Sequence, residues 1–255
     1  MDQSTTAGGG LATRMSAWLR SALRSEAREW DVTERLATNL FVWPVLAAFL
    51  VALTAIHRPL YNVFVDEDRL VEWAQFLALA ALVVLGLLIG VRLARLGQRS
   101  FAALFIIAAV GALFIAGEEI SWGQRLLGWI TPTDLAGINR QGETNIHNIG
   151  NVLQFMNLVM FVVAAVAGVM PFVWRWGAGD REREIGQILL VPPLFLASSF
   201  LAAASYRLMR YALVPDARYV VNHLGEIAEL LLYGAFAVFA WLVYRRLGKE
   251  PYTET

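Results

Sequence analysis

The sequence predicts an all-α integral membrane protein, a bundle of about six transmembrane helices. Three observations predict it. Hydrophobic residues make up 58% of the 255 positions and charged residues only 16%, against roughly a quarter charged in a soluble domain. Six apolar runs recur along the chain, at about 39–56, 70–92, 101–117, 150–174, 185–206 and 219–243. Most reach the ~20 residues that a spanning helix needs. The polar residues of those runs gather at one end of the spans instead of scattering.

In lipid each backbone donor and acceptor must be satisfied within its own segment, so the runs read as helices. Pro44, Pro192 and Pro193 fall inside two of them and are expected to kink or unwind the helix locally. The chain divides into a disordered tail (1–10), a cytoplasmic amphipathic segment (11–37), a transmembrane domain (38–245) and a cytoplasmic tail (246–255). No repeat and no linker separates further domains. The first apolar run starts too far along, and lacks a small-residue cleavage site, to read as a cleaved signal peptide.

The amphipathic segment places Met15, Trp18, Leu19, Ala22 and Leu23 at helical spacing, with Arg20, Arg24 and Arg28 on another face. That pattern suits a helix lying in the headgroup plane. A solvated helix packed on the protein's own cytoplasmic loops fits the pattern equally. Lys and Arg residues divide 14 to 7 between the two sides. The positive-inside rule then puts both termini in the cytoplasm and the 118–149 segment outside. The expected location is the bacterial cytoplasmic (inner) membrane.

Some functions are excluded at this level. Net charge is zero, so no basic field points to nucleic acid. Cysteine is absent, which removes disulfides, thiolate metal sites and cysteine nucleophiles. No Gly-x-Ser-x-Gly elbow, Walker loop or dinucleotide fingerprint occurs.

The polar residues carry the functional expectation. Glu72 and Gln75 open span two, and Glu118 and Glu119 end span three. His147, Asn148, Asn151, Gln154 and Asn157 open span four, Arg207 closes span five, and Asn222, His223, Glu226 and Glu229 open span six. At 1.5 Å per residue Glu229 lies roughly 15 Å from Tyr219, near the bilayer centre. Intramembrane carboxylates are costly and usually functional. Asn222, Glu226 and Glu229 share one helix face, as do His147, Asn151, Gln154 and Leu158. The two faces are expected to meet around a polar pocket open to the outer side.

Between spans three and four, Trp122, Leu126, Leu127, Trp129 and Ile130 suggest an interfacial or re-entrant helix ended by Thr131-Pro132. The stretches Glu-Glu-Ile-Ser-Trp-Gly-Gln-Arg (118–125) and Gln-Gly-Glu-Thr-Asn-Ile-His-Asn (141–148) resemble a family of uncharacterised bacterial multi-pass membrane proteins. A third stretch, Glu67-Asp68-Arg69-Leu70 before Glu72-Trp73, resembles the same family, with Arg69 in place of the expected glycine. The resemblance implies a multi-pass membrane fold and no particular activity.

The first expectation is therefore a membrane-embedded enzyme acting on a lipid or lipid-linked substrate. Glu118, Glu119, Glu143, Glu226 and Glu229 are its candidate catalytic groups. Glu72, Gln124, Arg125, Asn151 and Arg207 are candidate substrate ligands, the guanidinium groups suiting an anionic headgroup. His147 and His223 are candidate ligands for a divalent metal such as zinc, iron or manganese. Two alternatives stand beside it. One is a structural or accessory subunit whose polar core bridges helices or meets a membrane-protein partner. The other is a proton-coupled transporter.

Overall fold

The structure is a computed structural model that describes residues 11–66, 69–139, 144–145, 149–178, 183–210 and 219–249. Among these it is helical throughout, with one isolated bridge between Asn139 and Ile149. The helices, in chain order, are α1 (Leu11–Glu29), α2 (Glu34–Leu53), α3 (Arg58–Val65), α4 (Leu70–Arg95), α5 (Arg99–Glu119) and α6 (Gln124–Leu127). They continue as α7 (Thr133–Ile138), α8 (Gly150–Ala178), α9 (Ile185–Leu190), α10 (Ala197–Leu208) and α11 (Tyr219–Lys249). Six helical stretches are long and apolar enough to cross a membrane. They coincide with the six apolar runs of the sequence.

Thr33 starts α2, its hydroxyl accepting from Leu36 N at 3.1 Å, an N-cap that satisfies one of the free amides of the first turn. The helix runs on through Pro44 without unwinding. The proline pair behaves differently. The fifth span breaks between α9 and α10, where Pro192 and Pro193 remove two successive backbone donors. This broken span is the centre of the bundle: Leu194, Phe195, Ala197 and Phe200 are fully buried.

Helices α4 and α5 pack through small residues. A Cβ on Gly86 would sit 2.9 Å from Ala109 Cβ, and one on Gly90 would sit 2.7 Å from Ile106 Cγ1. Ala102, Ala109, Ala112 and Ala116 are buried along the facing seam of α5. Lipid offers no hydrophobic drive between helices, so close backbone approach of this kind supplies the association. On the other side α8 packs on α10, with Gly168 against Leu201. Helix α11 joins the two halves, touching α4 on one flank and α10 on the other.

Helix α1 packs on the protein at the end of the bundle that holds both termini, as Arg246 Nη1 donates to Glu29 O at 2.8 Å. Ala22, Leu23, Ala27 and Trp30 are buried there, while Met15 is exposed. Glu26 is fully buried. It accepts from Arg183 Nη2 at 2.8 Å and 3.1 Å and from Leu194 N at 3.2 Å. Arg183 Nη1 donates to Val191 O at 2.5 Å. The ion pair thus satisfies backbone groups that the proline break has freed, as burial away from water demands.

Candidate functional site

The site lies at the opposite end of the bundle. Glu118 and Glu119 come from the last turn of α5, Asn157 and Met160 from the second and third turns of α8, and Arg207 from the end of α10. Helix α11 contributes Asn222, Glu226, Glu229 and Tyr233 at intervals of four, three and four residues, a single helix face. Together they line a cavity of about 290 Å³.

Arg207 organises one wall. Its guanidinium is buried and donates to Asn157 Oδ1, to Glu229 Oε1 at 2.5 Å and to Met160 Sδ at 3.3 Å. Asn157 in turn donates to Leu153 O at 2.8 Å within α8. Arg207 is therefore held as the counter-ion of Glu229, which a desolvated carboxylate requires. Across the cavity Gln75 of α4, fully buried, donates from Nε2 to Glu226 O at 2.6 Å and to Glu226 Oε2 at 3.2 Å. Its Oε1 is buried without a hydrogen-bond partner among the described residues. Tyr233 Oη reaches Glu119 Oε1 at 3.4 Å.

These contacts bring Glu119, Glu226 and Glu229 together. One carboxylate oxygen from each lies within 4.8 Å of the others. Glu72 is close enough to act on Glu119 and Glu226 electrostatically. The cavity wall carries four glutamates against Arg207 and Arg210. The site is therefore acidic as well as buried, and a cation is the natural complement of its charge. Three carboxylates presented together are hard oxygen donors.

The structure gathers four of the sequence-derived catalytic candidates, Glu118, Glu119, Glu226 and Glu229, together with Arg207. Arg207 is spent on Glu229 and Asn157, so it positions the acidic trio instead of standing open to a headgroup. Gln124 lies outside the cavity wall: it donates to Thr131 Oγ1 at 2.7 Å and accepts from Thr144 N at 2.7 Å. His223 sits half-buried on α11 and is not part of the trio or the cavity wall. Glu143 and His147 lie outside the described residues, as do the side chains of Arg125 and Asn151.

One expectation needs correction. Helix α8 does not turn Gln154 and Leu158 to the site; both are exposed. The facing positions are Leu153, Met156, Asn157 and Met160, about one residue round the helix. The anchor of Asn157 on Arg207 fixes that rotation. Tyr233 was missed, although its place four residues after Glu229 extends the acidic face of α11.

The segment after α5 is tightly wound. Ser121, Trp122 and Gly123 all have positive φ, at 46°, 54° and 79°. For a tryptophan that conformation is strained, and surrounding contacts must hold it. Trp122 Nε1 donates to Glu118 Oε1 at 2.6 Å, and its ring covers Gly117, where a Cβ would lie 2.9 Å away. Ser121 Oγ accepts from Asn145 Nδ2 at 3.1 Å, and Asn139 Nδ2 donates to Asn145 O at 2.6 Å. The strained turn thus holds Glu118 in the cavity wall.

No family model, no curated protein and no solved structure matches the chain.

Proposed function

We propose that the protein is a membrane-embedded, metal-dependent enzyme that acts on a lipid or lipid-linked substrate. It sits in the bacterial cytoplasmic membrane with both termini inside and the acidic cavity toward the outer side. The observation that carries the reading is the convergence of Glu119, Glu226 and Glu229 in one cavity where Arg207 neutralises one of them. In this reading α6 and α7 lie at the outer interface and α1 at the inner one.

The residues fit a divalent cation. Glu119, Glu226 and Glu229 offer three oxygen ligands, one atom from each within 4.8 Å of the others. An all-oxygen set favours magnesium, manganese or calcium, where His147 and His223 with carboxylates had pointed to zinc, iron or manganese. When bound, such an ion supplies Lewis-acid polarisation of an ester or phosphoester oxygen. The chain's own groups do the rest. Arg207 and Gln75 hold Glu229 and Glu226 in place, and Tyr233 orients Glu119. Glu118, gripped by Trp122 outside the trio, is the carboxylate placed to exchange a proton with substrate.

The test incubates purified protein with a membrane lipid extract and follows products by mass spectrometry. A product that requires divalent metal, disappears with chelator and disappears in Glu226→Gln is expected. No product under any condition, with flux of protons or solute in proteoliposomes instead, would favour the transporter reading. A stable complex with one membrane partner and no product would favour the accessory subunit.

A further inference from the structure

We infer that the cavity is reached from within the membrane, through a portal between α5 and α8, and that it takes a lipid with a small headgroup. The inference rests on the reading of the cavity as a substrate site.

Helices α5 and α8 each line the cavity, with Ile115, Glu118 and Glu119 on one and Leu153, Met156, Asn157 and Met160 on the other. Yet among the described residues the two helices touch each other marginally at most. Helix α5 leans on α4, and α8 leans on α10. Among the described residues the cavity is therefore walled by α10 and α11 behind, with little helix packing between the two spanning arms in front. Because both arms cross the bilayer, the opening faces acyl chains. Its edges are Ile115, Leu153, Met156 and Met160, all half-buried. The flexible methionines suit a chain of variable shape. Behind them stand the carboxylates and Tyr233. An amphiphile fits this arrangement in one orientation only, with its headgroup at the trio and its chain between the arms.

Volume narrows the headgroup. About 290 Å³ falls at the bottom of the ~300–1,000 Å³ range of small-molecule pockets. A phosphate- or glycerol-sized group fits, and an oligosaccharide does not. Gly225 lets Tyr206 close over α11 at the cavity edge, since a Cβ there would approach Tyr206 Oη to 3.2 Å.

The experiment places the photoreactive residue benzoylphenylalanine at Met156, on the portal, and separately at Phe155, which faces lipid. Each protein is reconstituted in phosphatidylethanolamine vesicles carrying equal minor amounts of phosphatidic acid and diglucosyl diacylglycerol. Lipid adducts are identified by mass after illumination. At Met156 the phosphatidic acid adduct should be enriched severalfold over the diglucosyl lipid, while Phe155 adducts follow the vesicle composition. Adducts at Met156 that follow the vesicle composition overturn the portal. Native mass spectrometry of the unaltered protein from the same vesicles is the second measurement. Retention of phosphatidic acid over the diglucosyl lipid supports the inference, and equal retention overturns it. Repeating both with chelator separates the two readings. Enrichment that survives chelation supports the portal without the metal, whereas bound metal without enrichment sinks the portal alone.

Discussion

Arg207 and Glu229 meet at 2.5 Å between α10 and α11, and Asn157 on α8 takes the other arm of the same guanidinium. Three spans are thereby tied at one buried charge. Arg207 thus fixes the rotation of α8 through Asn157 and the place of one carboxylate of the trio through Glu229.

Glu229→Ala leaves Arg207 buried without its counter-ion. Breaking such a pair typically costs about 3–5 kcal/mol. Thermal unfolding in detergent should show a large loss for Glu229→Ala. The double variant Arg207→Met/Glu229→Met should recover much of it. A double variant no better than the single would show that the pair is not the source of the loss.

At the other end, burial pushes the Glu29 carboxyl above its usual value, opposed by Arg183 and reinforced by neighbouring Glu26. Arg175 and Arg246 also face it and oppose the shift. A raised folded value means that the folded state holds its proton more tightly than the unfolded chain. Stability from this group is present below the ordinary carboxylate range and declines as pH rises through the folded value. Glu29→Gln should therefore gain stability relative to the parent as pH rises from the ordinary range, and the gain should vanish in acid. Unfolding midpoints across that window measure it. A gain that instead grew in acid would reverse the assignment.

The small-residue seam makes a local prediction. Gly90→Val drives a side chain into Ile106 and toward Ala102 O, 3.2 Å from the added Cβ, and overpacking of this kind costs about 1–3 kcal/mol. Gly111 on α5 has nothing within 4 Å of its added Cβ. Gly111→Ala should be neutral or slightly stabilising by the same assay. Equal losses at both sites would deny the close packing of α4 and α5.

Absence of cysteine makes the orientation testable with single cysteines. Gln98, just before α5, and Ile130, beyond its far end and after α6, are both exposed. Ile130→Cys should react with an impermeant maleimide in intact cells, and Gln98→Cys only after permeabilisation. The inverse pattern would put the termini outside.

The six spans were legible because a lipid-facing helix is apolar nearly all round, and length then suffices to find it. The break at Pro192-Pro193 was legible for a covalent reason, whereas Pro44, a single missing donor, left α2 continuous. The acidic face of α11 could be read because Asn222, Glu226 and Glu229 keep helical spacing. The face of α8 could not: Gln154 looked like the inward residue, but the pairing of Asn157 with Arg207 decides the rotation, and they are 50 positions apart. Glu26 likewise shows no local sign of its burial, because its partner Arg183 is 157 residues away. Long-range pairs of this kind leave no local periodicity.

The most direct test of the central claim is the divalent metal content of detergent-purified protein, beside the Glu119→Gln/Glu226→Gln variant. The account predicts about one equivalent of magnesium, manganese or calcium in the parent and its loss in a variant that stays folded. A metal-free parent after purification in the presence of all three ions would contradict it.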